Sequence, residues 1–435
     1  DEDTSFPITA TAADGYTFLS WTSSEIDSFA PGDFNSTATV TLDENSTATA
    51  NFLQNQYFLE VTTTSDGNVT GGGSSYAYGD SADANATPDS IHDFDQWVVG
   101  KTIDYSVGVG AKSHDENASV YLVKGQERPT LTFIRGFTYS FEVNGSEPFY
   151  FSTDQNGGGD YAGEFTGGVT NSRASGGATI SITVDDSTPD FLHYYSGLTA
   201  GMGSPIKVLT KTDTEIVPFP TQASTSISLE FDVSLQATYK LKTYDLTLAG
   251  GTGGSAEANA TGPHQHGTTV TITAIPGEGY DFLSWSGDEV DDDASATTTI
   301  TMTEAQSVTA NFKIKSYTLT LSSDSSGGSV RTSDNEYIYE YGTNANILAT
   351  PSQGYSFVQW TGDSTSSDRN TTVLMDANKS VTGTFQGNVH NLSFTQITRN
   401  ADDSLNADND LGGSISAGTS FSHGTIASIL ATANP

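Results

Sequence analysis

Asn406, Asp408 and Asp410 place side-chain oxygens at every second position of Asn406-Ala-Asp408-Asn-Asp410-Leu-Gly412, and a glycine closes the run. Alternate residues of a tight loop converge, so this spacing is a candidate calcium site for a hard cation that takes oxygen ligands. The run lacks the glycine at the sixth position of an EF-hand loop and the distal bidentate Glu, and the alternative is a solvated acidic loop. A second cluster, Asp288-Glu289-Val290-Asp291-Asp292-Asp293, crowds five carboxylates that repel unless screened or bridged by a cation. His264-Gln265-His266 offers two imidazoles, but Zn²⁺ would need further ligands from elsewhere, and an exposed polar turn is the simpler reading. No nucleophile–base arrangement and no phosphate-cradling glycine loop before a helix stands out. Calcium is therefore the one cofactor the residues suggest, and the chain reads as a protein without enzymatic activity.

The composition narrows the class. The 435 residues include 53 acidic and 16 basic side chains, a formal charge of −37. So negative a surface repels phosphate backbones and anionic lipid heads, which disfavours nucleic-acid and membrane-surface partners. The 19 Tyr, 22 Phe and 4 Trp are too many for a disordered tail and suit several small β cores. With no cysteine, disulfides, thiol catalysis and Cys-ligated metals are excluded. No run of about 18 apolar residues exists, so no membrane span is expected in this segment. The chain begins at Asp1 without Met or a signal peptide, as a mature or excised piece would.

The tryptophans reveal the elements behind these residues. Trp21, Trp285 and Trp360 each end the phrase Gly-Tyr-x-Phe-x-x-Trp, with Tyr16 and Phe18, Tyr280 and Phe282, and Tyr355 and Phe357 inside it. Trp97 closes a degenerate copy that keeps Phe94 but has Ile91 and His92 for Gly-Tyr. Runs such as Val270-Thr271-Ile272-Thr273-Ala274 and Val308-Thr309-Ala310-Asn311-Phe312 alternate with period two and predict half-buried strands. Gly-Tyr supplies a turn, and the Phe and Trp supply core volume. Copies open at Tyr57, Tyr244, Tyr317 and His390, and the last two steps are both 73 residues, the mark of an array of small domains.

These phrases resemble the divergent internalin-type B-repeats of bacterial and archaeal surface proteins, over nearly all of 1–102 and 218–435. The resemblance implies an all-β chain of small β-grasp-like or β-sandwich modules that serve as stalks, spacers or adhesive units. The expected division is 1–56 for an incomplete first repeat, 57–102 with 218–243 for a split second, 244–316, 317–389, and 390–435 for an incomplete fifth.

Residues 103–217 interrupt the second repeat. Trp285 and Phe312 lie 27 residues apart, whereas Trp97 and its counterpart Tyr239 lie 142 apart. That excess of 115 agrees with the 114 extra residues in the repeat's length, so one inserted domain is expected in an exposed loop. Pro129-Thr-Leu-Thr-Phe-Ile-Arg135-Gly136-Phe-Thr-Tyr-Ser-Phe-Glu-Val143 reads as two strands joined at Arg-Gly, and Pro148-Phe149 and Met202-Gly203 follow. The segment is similar to cupredoxin-like domains, which implies a Greek-key β-sandwich. Glu147, Ser196 and Thr199 stand where metal-binding relatives carry His, Cys and His, and only Met202 remains of the ligand set. Copper of that type needs thiolate and imidazole, so the resemblance implies a fold without its metal.

The sequence thus predicts an extracellular structural protein of a cell or virion surface, part of a fibre, stalk or filament. Its partners would be copies of itself or neighbouring domains of a longer chain. The alternative is an adhesin or viral tail fibre that binds a receptor or glycan through the insert or loop tips. Both ends cut through repeats, which suggests a window on a longer chain or ends that complement each other between subunits. Ten Asn-x-Ser/Thr sequons, at Asn35, Asn45, Asn68, Asn85, Asn117, Asn144, Asn259, Asn370, Asn378 and Asn391, would matter only in a host that glycosylates secreted proteins.

Overall fold

A computed structural model of the chain describes residues 4–23, 29, 36–42, 45–113, 115–155, 160–394, 413–416 and 420–433. They are strand and turn throughout, apart from one helical turn, Asp213–Ile216. The alternating Thr, Val, Ile and aromatic runs favour this extended backbone. The chain divides into two compact units, residues 1–242 and 243–435.

In the second unit, the copy that opens at Tyr244 forms two three-stranded sheets. One holds Leu246–Gly250, Gln306–Ile314 and Tyr280–Gly287, and the other holds Gly254–Ala258, Thr269–Pro276 and Thr297–Thr301. Its first strand pairs parallel with its last, so the ends of the set close over the strands between. Between the sheets lie Val270, Ile272, Ala274, Trp285, Ile300, Met302, Val308 and Ala310. The next copy repeats this arrangement around Trp360, with Ser316–Ser323 parallel to Lys379–Gly387.

The Trp-bearing strand is not regular. Opposite Gln306–Ile314, Phe282 faces Phe312, Ser284 faces Asn311 and Trp285 faces Ala310, so Leu283 has no partner. The same residue is skipped at Leu19, Asp95 and Val358 in the other copies. In a straight strand, residues three apart point to opposite faces. One bulged residue reverses that, and the Phe and Trp of the phrase reach the same core. Their rings stand 5.3–5.6 Å apart in all four copies. The bulge residues turn outward at Leu283 and Val358, which are 57% and 44% exposed, while Leu19 is buried.

Each indole also fastens the loop that follows it. Trp285 Nε1 donates to Ser295 O at 2.9 Å and Trp360 Nε1 to Asp368 O at 2.9 Å. Trp97 Nε1 donates to Gln222 O at 3.0 Å, and the Trp97 amide to Pro220 O at 2.7 Å. The anchor lies 10 residues on from Trp285 but 125 on from Trp97. In this copy Val233–Leu241 pairs parallel with Gln56–Thr63 and antiparallel with His92–Val99.

The intervening chain builds a larger β-sandwich. Its six-stranded sheet runs Gln126–Glu127, Asp115–Val123, Thr102–Lys112, Thr138–Val143, Ala178–Thr183 and Val169–Thr170. Its four-stranded sheet runs Leu131–Ile134, Ser204–Leu209, Phe191–Ser196 and Phe149–Ser152. The strands on either side of Arg135-Gly136 therefore cross from one sheet to the other rather than pairing. Stacked and edge-on rings fill the space between, among them Phe133 and Tyr139 at 4.0 Å, and Phe141 and Phe149 at 5.1 Å. Buried phenols find partners: Tyr194 donates to Pro129 O, and Tyr139 accepts from the Ile134 amide.

The sandwich does not hang from a free linker. One continuous apolar cluster includes Leu59, Trp97 and Leu235 of the split copy together with Ile103, Phe133 and Phe149 of the sandwich. At the junction Lys124 Nζ pairs with Asp232 at 3.1 Å, over the rings of Phe58 and Tyr105. Asp232 also accepts from the Phe58 amide. Removing either partner leaves an uncompensated charge in a largely buried place.

Trp360→Ala is expected to destabilise its copy by about 3–5 kcal/mol, the usual cost of truncating a buried aromatic. Val358→Ala, one bulge away, is expected to change the urea midpoint by less than a quarter as much. Denaturation followed by circular dichroism checks both.

Candidate functional site

The structure disperses most of the polar clusters that the sequence suggests. In 288–293 the carboxylates bind their own loop and the strands beside it: Asp288 accepts from the Ser307 amide at 2.6 Å, Asp292 from the Ala294 amide at 3.0 Å, and Asp291 from the Thr299 hydroxyl. The equivalent loop of the next copy repeats the first contact, with Asp363 accepting from the Ser380 amide at 2.6 Å. These acids therefore cap turns. Among the described residues, no group of three or more His, Asp or Glu side chains is arranged to hold a metal ion. Asn406, Asp408 and Asp410 lie outside the described residues. No helix among those described is long and apolar enough to cross a membrane, which leaves β-barrels aside.

His264-Gln265-His266 is not an exposed turn. His264–Gln265 is a short strand beside Thr243–Tyr244, His264 is buried, and the His266 ring meets Tyr244 edge-on at 5.9 Å.

The repeat residues fall into two groups. Trp21, Trp97, Trp285 and Trp360 are buried, and Phe18, Phe94, Phe282 and Phe357 pack against them. The tyrosines of the phrase lie nearer the surface: Tyr16 is 39% exposed, and Tyr280 and Tyr355 are half-buried.

Glu147, Ser196 and Thr199 come together at one end of the sandwich. Ser196 Oγ donates to Glu147 Oε2 at 2.5 Å and accepts the amides of Leu198 and Thr199, each at 3.1 Å. Met202 is fully buried, and its carbonyl accepts the amide of Tyr121, whose hydroxyl donates to Glu147 O at 3.2 Å. A carboxylate, a hydroxyl and a thioether remain, with no thiolate or imidazole for a soft metal, and the hydroxyl already carries three hydrogen bonds.

A contact that the sequence did not signal joins the first copy to the sandwich. Thr17 Oγ1 accepts the Thr130 amide at 2.7 Å and donates to Asn55 Oδ1 at 2.5 Å, while Asn55 Nδ2 donates to Thr130 O. The buried Arg128 donates to Leu19 O at 2.7 Å and to Gly201 O at 3.3 Å. Gln56 and Gln126 exchange two bonds of 2.7 Å. The partners that join the first copy to the sandwich lie 70 or more residues apart, beyond the reach of local pattern.

Over residues 1–56, 57–123, 244–316 and 317–389, more than half of the chain, the sequence matches the family described as the divergent InlB B-repeat domain. The second segment runs into the first two long strands of the sandwich. No curated protein matches the chain. Among solved structures, a multicopper oxidase is 9% identical and covers 57% of this chain and 82% of its own, at a TM-score of 0.18. Fet3p, a multicopper oxidase that functions in iron import, is 11% identical and covers 70% of this chain and 56% of its own, also at 0.18. At such scores neither likeness bears on fold or function.

His193 sits on the strand Phe191–Ser196, 8% exposed, its ring parallel to Tyr195 at 5.5 Å. Burial pulls its imidazole below the ordinary 6.5, with Asp154 acting weakly in the other direction. The unfolded chain therefore holds the extra proton between the two values, so this contribution is intact above about pH 6.5 and declines as pH falls through that range. His193→Gln is expected to reduce the loss of stability between pH 7.5 and pH 5. Urea midpoints of the two proteins at both pH values measure it.

Proposed function

The chain belongs to the divergent InlB B-repeat family, and we propose that it works as a non-enzymatic array on a cell or virion surface, part of a fibre, stalk or filament whose copies set its reach. The observation that carries this reading is what the copies have in common. The bulge, the Phe–Trp pair, the indole-anchored loop and the acid that caps it recur. What the copies share is packing and turn-capping.

The proposed modules are 1–56, the split pair 57–102 and 218–243, 244–316, 317–389 and 390–435, with 103–217 as an inserted cupredoxin-like domain that lacks copper ligands. Two features support that last assignment: the two-sheet sandwich, and the hydrogen bonds that bring Glu147, Ser196 and Thr199 together. The partners proposed are further copies or neighbouring domains. The charge of −37 opposes nucleic acid and anionic membrane surfaces.

A spacer must resist bending where copies meet, and a recurrent joint serves that need. Gly15, Gly279 and Gly354 adopt φ of +78°, +79° and +81°, and their carbonyls accept the amides of Asn55, Lys315 and Asn388, each at 2.8 Å. An aromatic side chain from the following copy (Tyr78, Tyr341 or His423) lies so close that a Cβ would stand 2.1–2.2 Å from it. Glycine is needed there on both counts, for the left-handed backbone and for the close approach.

Antibodies against 244–389 are expected to label intact producing cells or particles. Labelling only after lysis would contradict the surface assignment. Gly279→Ala is expected to cost about 1–2 kcal/mol at the joint from backbone strain alone. The Lys315 amide should then exchange hydrogen faster while both adjoining cores keep their protection, as read by hydrogen–deuterium exchange.

A further inference from the structure

The first copy and the sandwich, pinned together through Thr17, Asn55, Thr130 and Arg128, leave between them a cleft of about 820 Å³. That volume falls within the usual range for small-ligand sites. One wall is the outer face of the sandwich's four-stranded sheet. Alternate residues of a strand share a face, and the alternate residues here are Phe191, His193 and Tyr195. Their inward neighbours Leu192 and Tyr194 are fully buried in the core.

The outer face of a sandwich is ordinarily polar, yet this strip is a run of rings. Phe191 is 63% exposed, while the buried His193 and Tyr195 rings lie parallel beneath the cleft surface, with 8° between their planes. Tyr16 stands on the opposite wall, 39% exposed. Among the described residues His193 Nδ1 has no hydrogen-bond partner, although the residue is more than nine-tenths buried. A buried polar atom left in this state is costly unless something satisfies it.

Charged pairs complete the lining. Lys207 Nζ meets Asp14 at 3.1 Å across the two walls, and Lys211 Nζ meets Glu230 at 3.5 Å. Each pair offers a donor and an acceptor side by side and adds no net charge, in a chain that elsewhere carries a large acidic excess.

We propose that this cleft binds a neutral oligosaccharide. An apolar ring face of the sugar stacks on the exposed Phe191, with Tyr16 closing from the other side. Its hydroxyls, which both donate and accept, engage the Lys207–Asp14 and Lys211–Glu230 pairs. An aliphatic or lipid ligand would leave those pairs unused, and a polyanion would be repelled by the chain's net charge.

The test is binding of the full 435-residue chain to immobilised and soluble neutral hexasaccharides (β-glucan, chitin, mannan and xylan fragments), with sulfated and uronic-acid oligosaccharides alongside. The expected result is saturable binding of at least one neutral hexasaccharide. Phe191→Ala should weaken it by about tenfold, the scale of one stacking contact. Phe219→Ala is the control, since Phe219 is 58% exposed and does not line the cleft. Because Phe191 is mostly exposed, unchanged circular dichroism and urea midpoint would show that its loss acts on binding. Failure to bind any neutral sugar, binding only of the acidic ones, or equal loss in both variants would overturn the proposal. The surface-array reading would stand in every case, since antibody labelling of intact cells does not depend on the cleft.

Discussion

Two aromatic residues three apart in a strand cannot share a face unless the strand gains a residue between them. That constraint organises each copy. The bulge at Leu19, Asp95, Leu283 or Val358 turns the Phe and Trp of one phrase into the same core. An aromatic ring from the closing strand then meets the Phe edge-on, at 5.7–6.3 Å. The indole N–H, once inside, needs an acceptor, and the loop after the strand provides it. A single irregularity thus sets the core, the loop and the pairing of the last strand.

The same anchor explains how the second copy accommodates over a hundred extra residues. What Trp97 requires is a carbonyl near its indole, and chain distance to that carbonyl is immaterial. Pro220 and Gln222 return to that place from the far side of the sandwich, and Val233–Leu241 then completes the sheet. Lys101 and Asp213, an ion pair across the exit and return of the chain, help hold the two crossings together. The split copy and the sandwich go on to share one apolar cluster, so the insertion is an extension of the core as well as an addition to a loop.

Much of this was legible in the residues. The spacing of Trp21, Trp97, Trp285 and Trp360 exposed the repeats, and the displaced Tyr239 exposed the interruption, because both depend on the order of large side chains along the chain. The bulge was not legible, since a phrase with x-x between Phe and Trp does not state which x leaves the ladder. His264 read as a turn residue, whereas its neighbours bury it at a strand edge. The first copy's union with the sandwich was invisible, because Thr17 and Thr130, or Leu19 and Arg128, meet only after both folds have formed. The cleft between them was invisible for the same reason: alternation along Phe191–Ser196 shows two faces, and does not show which one another module will overhang.

The claim on which the rest depends is that the bulged residue stands outside the ladder, so that Phe and Trp occupy ladder positions two apart. Deleting Leu283 alone keeps that spacing and should leave Trp285 in the core, whereas deleting Leu283 and Ser284 together sets the two rings on opposite faces. The most direct measurement is hydrogen exchange of the Trp285 indole N–H by NMR in the full chain, since that proton is held by Ser295 O in the native copy. The account predicts that deletion of Leu283, like Leu283→Ala, preserves its protection and that deletion of Leu283 with Ser284 abolishes it. Lost protection in the single deletion, or retained protection in the double deletion with the copy still folded, would contradict it.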